Sequence, residues 1–194
     1  MPVRTVFKPG QFCWVDHAAH DLEAASAWYG ALFGWAAAPQ DTGGGPPYHF
    51  FTKGDAVAAA GGQLSDEMKA AGVPPLWNSY VCVDDCAATE AKAAELGATI
   101  TVPTTEIPGR GKLCFFTDPA GASLAVWQTT SDDGMAMHMA EHGGLSWNEL
   151  MCRDPAASRA FYAALFGWDY EDMPMDGVAY TIAMAHGEQA GGMM

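Results

Sequence analysis

Basic residues are scarce in this chain. It carries nine Lys and Arg against 23 Asp and Glu, a net charge of −14. A nucleic-acid partner needs a basic footprint to neutralise phosphate, and nine scattered cations do not make one. Long apolar runs are also missing. None approaches the roughly 18 residues a membrane-spanning helix needs, so no membrane partner is expected. Residues 1–10 lack the apolar core of a secretory signal, which points to the cytoplasm. There is no Ser-His-Asp arrangement and no dinucleotide-binding glycine pattern. Gly43-Gly44-Gly45 is not followed by a helix carrying Lys, so it reads as a loop rather than a phosphate cradle. The five cysteines, Cys13, Cys82, Cys86, Cys114 and Cys152, are odd in number and form no CxxC pair. They fit small buried hydrophobes in a reducing compartment, with a reactive thiol as the other reading.

What the chain does have is apolar residues, 49% of 194, with aromatics along the whole length. That suffices for a sizeable core in one large domain or one and a half ordinary ones. It also repeats itself. Residues 21–35 read DLEAASAWYGALFGW and residues 154–168 read DPAASRAFYAALFGW, with nine of fifteen positions identical at an offset of 133. Trp14 and Trp147 match at the same offset. A fainter copy, DCAATEAKAAELGA, opens at Asp85.

Each copy has local reasons to be a helix. Asp21, Asp85 and Asp154 are N-caps whose short carboxylates accept first-turn amides. Pro155 follows its cap, where a missing N–H costs nothing. Leu22, Ala25, Trp28, Tyr29, Leu32 and Phe33 fall at helical spacing. Gly34, Gly97 and Gly167 suit the left-handed position that ends a helix. Apolar stretches at residues 12–17, 78–83 and 145–152 precede the helices as strands. Three short strands follow each helix: 36–38, 48–52 and 57–63, then 99–102, 112–117 and 123–128, then 169–171, 179–186 and 188–193. Asp118-Pro119-Ala120-Gly121 is a turn, because Pro fixes φ and Gly accepts a positive one. The pattern is βαβββ three times, an α+β fold. Residues 65–75 and 129–144 read as linkers. The division expected is a domain over 1–128 with units at 11–63 and 76–128, a linker at 129–143, and the first unit of a second, incomplete domain at 144–194.

An opening strand, Asp-Leu-Glu, an Ala-rich helix, Tyr, Leu-Phe-Gly-Trp and a later Asp-Pro-x-Gly resemble the vicinal oxygen chelate superfamily of glyoxalases, bleomycin-resistance proteins and extradiol dioxygenases. The likeness is greatest to actinobacterial tandem-domain glyoxalase-like members and covers nearly the whole chain. It implies paired units forming a cup-shaped mixed sheet with the site on the inner wall. In metal-using members, His, Gln and Glu side chains there hold one divalent ion that polarises a substrate with neighbouring oxygens. The resemblance puts those ligand positions at Trp14, at Asn78, at Ala125 and around Gly61–Gln63. Neither an indole nor an alanine is a ligand, and amides are weak ones. No metal and no cofactor are therefore expected there. Trp147 repeats the loss in the third unit.

Strand alternation puts Asp16 on the face of Trp14 and Glu149 on the face of Trp147. Two readings of these acids stay open. One is a carboxylate inside the cup that orients a ligand or acts as a base. The other is an acid paired with Arg or backbone amides at a sheet end. Tyr80 aligns with Asp16, and Trp127 shares a face with Ala125, so both could line the wall, as could Gln63; ordinary aromatic core is the alternative for the rings. Aromatic walls with a few polar groups suit a flat or apolar small molecule. His17, His20, His49, His138, His142 and His186 show no recurring partner pattern. The expected function is metal-independent binding of a small apolar or aromatic ligand at Trp14, Asp16, Gln63, Asn78, Tyr80, Trp127, Trp147 and Glu149. A metal-dependent lyase, isomerase or oxygenase is the alternative, and a ligand-free scaffold a third. The units of this superfamily work in pairs. A third unit alone is expected either in a truncated form of a four-unit protein, the preferred reading, or in a homodimer through that unit.

Overall fold

The computed structural model describes residues 3–130, 137–175 and 178–194. A two-residue strand β1 (Val3–Arg4) comes first. The first repeat follows as β2 (Phe12–Ala19), α1 (Leu22–Phe33), β3 (Ala36–Gln40), β4 (Tyr48–Lys53) and β5 (Ala56–Gln63). After a short helix α2 (Asp66–Ala70) comes the second: β6 (Leu76–Cys82), α3 (Cys86–Glu95), β7 (Thr99–Ile107), β8 (Gly111–Thr117) and β9 (Ser123–Thr129). The strand β10 (Met137–His138) precedes the third: β11 (Glu149–Leu150), α4 (Pro155–Phe166), β12 (Asp169–Met175), β13 (Val178–Ala185) and β14 (Glu188–Met193).

Strand pairing is the same in all three. The first strand of each repeat lies parallel to the last, and the other two continue antiparallel, giving β2-β5-β4-β3, β6-β9-β8-β7 and β11-β14-β13-β12. A parallel pair cannot be closed by a hairpin. The helix instead carries the chain to the far edge of its sheet, and two hairpins bring it back. This is an α+β architecture with mixed sheets, as the sequence pattern implies.

The helix ends follow from the residues named above. Asp21, Asp85 and Asp154 accept from the backbone N–H groups of Ala24, Ala88 and Ala157. Gly34 and Gly167 take left-handed φ values of 70° and 71°, which an L side chain resists. The Asp118 turn closes with Gly121 at φ 97° and with the Asp118 carboxylate accepting from Ala120 and Ala122.

Three local expectations need correction. Residues 65–75 are not wholly a linker, because Ser65 caps α2 through its hydroxyl. Residues 129–144 carry β10, which pairs with β1 and, at Met137, with Val57 of β5; residues 131–136 lie outside the described part. The strand expected over 145–152 is only Glu149–Leu150. Its one ladder is with β14, and a strand with a single neighbour has less to hold its length.

The chain forms two compact units that do not follow the repeat boundaries. One comprises Met1–Val6, Trp14–Asn78 and Met135–Ser146; the other comprises Phe7–Cys13, Ser79–Gly134 and Trp147–Met194. The second has a continuous core. Val81, Cys86, Ala93, Phe116 and Val126 from the second repeat pack with Phe161, Tyr162, Trp168 and Ala183 from the third. The five cysteines are free, four of them buried and Cys152 half-buried. Among the described residues, no helix is long and apolar enough to cross a membrane.

Candidate functional site

In the first unit, alternation along β2 puts Trp14 and Asp16 on one face. The same alternation along β4 sends His49 and Phe51 toward α1 and leaves Tyr48 and Phe50 beside Trp14. The Trp14 indole N–H donates to the Tyr48 hydroxyl at 3.1 Å. That hydroxyl donates in turn to Asp16 Oδ2 at 3.1 Å. Asn78 Nδ2 donates to Asp16 Oδ1 at 2.8 Å. Phe50 meets the Trp14 ring edge-on, with centroids 5.5 Å apart.

Asp16 is 8% exposed. A carboxylate so deeply placed must be hydrogen-bonded to be tolerated, and here donors reach both of its oxygens. Two of these donors are a phenol and a carboxamide. Burial, and after it the Asp16 carboxylate, push the Tyr48 phenol well above its ordinary pKa. Tyr48 therefore stays protonated and remains a donor. A Cβ at Gly62 would come within 3.3 Å of Tyr48 Cδ2, so the glycine leaves the ring room over the strand.

The third repeat assembles the same three residue types. Trp147 Nε1 donates to the Tyr180 hydroxyl at 3.0 Å and approaches Glu149 Oε2 at 3.1 Å. Tyr180 donates to Glu149 Oε2 at 2.8 Å. A Cβ on Gly192 would run into the Tyr180 hydroxyl and the Glu149 carboxylate. Here, though, Trp147 and Glu149 are exposed. Tyr48 and Tyr180 were absent from the sequence-derived set. The repeat carried the signal: each tyrosine follows its Trp by 34 or 33 residues and precedes a Gly-Gly pair.

The other anticipated residues are placed as follows. Gln63 does not join Asp16. Its side chain accepts from Leu22 N at 2.9 Å and donates to His20 O at 2.6 Å, fixing the start of α1. One step past Gly62, it points to the helix side of the sheet. In the second unit, Tyr80 is buried beside Ala125 and packs edge-on against Phe115 at 5.4 Å. Trp127 shares that face, and its buried indole N–H has no hydrogen-bond partner among the described residues. Also in that unit, a cavity of about 100 Å³ lies between Phe12, Leu124, Asn148, Tyr162 and Trp168. It is well below the roughly 300 Å³ of an ordinary small-molecule site.

Four histidines have structural surroundings. His17 lies between the rings of Tyr29 and Trp77, with centroids 5.3 and 5.2 Å away, and burial lowers its pKa. His49 Nδ1 is 3.0 Å from Ser26 Oγ, while His20 and His186 bond the carbonyls of Val73 and Pro9. Among the described residues, no three His, Cys, Asp or Glu converge. The Trp14 face offers one carboxylate, a phenol, an amide and an indole with no in-plane lone pair. That set does not fit a divalent transition metal.

Residues 13–126 match the model of the Glyoxalase/Bleomycin resistance protein/Dioxygenase superfamily. The chain is 35% identical over 197 residues to the Mycobacterium bovis protein named "Putative glyoxylase CFP32", covering all of this chain and 74% of that one. It is 30% identical to the Streptomyces peucetius "Anthracycline biosynthesis protein DnrV", over 90% of this chain and 66% of that protein. Among solved structures it resembles the Mn(II)-bound glyoxalase of Novosphingobium aromaticivorans, with a TM-score of 0.65 and 13% identity over 96% of this chain. It spans 62% of that glyoxalase, less than two thirds of its length. It also resembles a 2,2',3-trihydroxybiphenyl 1,2-dioxygenase of Sphingomonas wittichii, with a TM-score of 0.63 and 12% identity over 96% of this chain and 67% of that one. At such identities these structures speak for the fold alone. The family-model match over residues 13–126 and the match to CFP32, over all of this chain and 74% of that protein, carry the assignment: this chain is a glyoxalase-like member of the Glyoxalase/Bleomycin resistance protein/Dioxygenase superfamily.

Proposed function

We propose that the chain binds a flat aromatic or apolar small molecule without a metal ion, on the face built by Trp14, Asp16, Tyr48, Phe50 and Asn78. One observation carries this reading. The position that the family resemblance gives to the first metal ligand is Trp14, and its indole is engaged as a donor in a Trp14–Tyr48–Asp16 chain. Two rings supply a surface for stacking, and Asp16 supplies fixed negative charge for a ligand hydroxyl or ammonium. The name of the Streptomyces relative fits the same ligand class, since anthracyclines are fused, flat ring systems bearing phenols and an amino sugar.

The test is a fluorescence titration of the EDTA-treated protein with an anthracycline and with 2-naphthol. Saturable binding that survives chelation is expected, with at least a tenfold loss in Asp16→Asn. Affinity for neither probe, or affinity restored only by added Mn²⁺, Zn²⁺, Ni²⁺ or Fe²⁺, would favour the metal-dependent lyase or oxygenase reading.

A further inference from the structure

Two cysteines meet where the start of β2 runs beside the end of β6. Gly10 N donates to Cys82 O and Cys82 N donates to Gln11 O, each at 2.8 Å, which fixes the two stretches against each other. Farther along, the Cys13 thiol donates to Tyr80 O at 3.5 Å. The Cys82 thiol donates to Phe7 O at 3.7 Å. The two thiols also stand within hydrogen-bonding reach of each other. Cys13 can therefore give its one proton to Tyr80 O or to a Cys82 thiolate. All of these residues belong to the second compact unit.

The pair differs from the other buried thiols. Cys86 and Cys114 lie in the core with Val81, Phe116 and Val126. Val81 and Val126 are partners in the β6–β9 ladder, and so are the next residues, Cys82 and Trp127. Strand alternation turns Cys82 and Trp127 away from that core, to the face of Tyr80 and Ala125. Cys82 keeps 8% of its surface exposed, against 2% for Cys13 and none for Cys86 and Cys114. Of these four thiols it is the one most open to a small reagent.

We propose that Cys82 and Cys13 form a dithiol oxidation site for a small hydroperoxide, with Cys82 as the attacking thiolate and Cys13 as the resolving thiol. The Cys82 sulfur attacks one oxygen of hydrogen peroxide. The O–O bond breaks, the sulfur becomes a sulfenic acid, and hydroxide leaves and is protonated to water. The Cys13 sulfur then attacks the Cys82 sulfur. The S–S bond forms, and the sulfenic hydroxyl departs as water with the Cys13 proton. Two thiols are oxidised and one peroxide is reduced to two waters. The assignment of roles follows from the hydrogen bond between the thiols. It draws the Cys82 thiol below its ordinary pKa against the effect of burial, and the same bond, then burial, hold Cys13 well above. Burial pushes Cys86 up and Cys114 to about 12. The thiolate is the nucleophile, and a protonated neighbour is its donor.

The test exposes the full chain to a small excess of hydrogen peroxide, then counts thiols in denaturant and maps the peptides. Two of the five thiols should be lost, in a first disulfide that joins Cys13 to Cys82 and is reopened by dithiothreitol. In Cys13→Ala the sulfenic acid has no resolving partner, so dimedone should label Cys82 about tenfold more than in the unaltered chain. In Cys82→Ala, Cys13 should stay a free thiol. The map of the unaltered chain needs no substitution, so it decides the matter even where a variant fails to fold. A first disulfide between any other pair, oxidation at half-buried Cys152 ahead of Cys82, or a Cys82 thiol that survives the treatment would overturn the proposal.

Discussion

The first and third repeats share nine of fifteen residues through their helices, yet they bury opposite halves. In the first, the Trp–Tyr–acid cluster is inside, and Trp28, Leu32 and Phe33 of the helix are out while Tyr29 is half-buried. In the third, the helix face is inside and the cluster is out. Sequence identity therefore sets which side chains can meet, while the neighbouring element sets what the contact is worth. Both coverings come from the second repeat: Asn78 at the opening of β6 closes over Asp16, and α3 with the Asp118 turn closes over α4.

The sharpest way to break this comparison is to truncate matched positions. Phe161→Ala should lower the unfolding free energy by about 3–5 kcal/mol, because it empties a site in a packed core. Trp28→Ala, at the same position of the other copy, should cost under about 1 kcal/mol. Urea unfolding of both variants reads the difference, and equal losses would mean that the two helix faces are equally buried in solution.

The acids invert that order. Asp16→Ala leaves the Tyr48 hydroxyl and the Asn78 amide without their acceptor, a loss of about 1–3 kcal/mol. Glu149→Ala removes an exposed partner and should stay within about 0.5 kcal/mol. The milder Asp16→Asn keeps the shape and should hold the melting temperature within a few degrees while weakening ligand binding. An Asp16→Asn protein that loses stability but keeps its affinity would make the acid purely structural.

The smallest effect concerns pH. Burial between Tyr29 and Trp77 holds the folded pKa of His17 below the ordinary 6.5, so the unfolded chain binds the proton more readily. Its contribution is full above 6.5 and declines as pH falls through that value toward the folded pKa. Thermal melts between pH 7.5 and 5.5 should therefore slope downward, and His17→Phe should flatten part of that slope. The third repeat offers a control, since Leu150 stands at the matching position and brings no titration there.

Most of the fold was legible because its signals are local. Caps at Asp21, Asp85 and Asp154, left-handed glycines and strand alternation each act within a few residues, and the 133-residue offset multiplied them. β1, β10 and the shortness of β11 were not legible, because two-residue strands depend on which neighbour the chain finds. At the candidate site, Trp14, Asp16 and Asn78 come together as a shared face implies. Tyr48 was missed because it arrives from a different strand, and Gln63 was placed one residue out of phase, which in a strand means the opposite face.

Elemental analysis of the purified protein bears most directly on the central claim, that the Trp14 face works without a metal. Dialysed protein should carry well under 0.1 equivalent of Zn, Mn, Ni or Fe, and should bind the aromatic probe undiminished. One equivalent of any of these metals, retained through dialysis and lost in Asp16→Asn, would contradict the account.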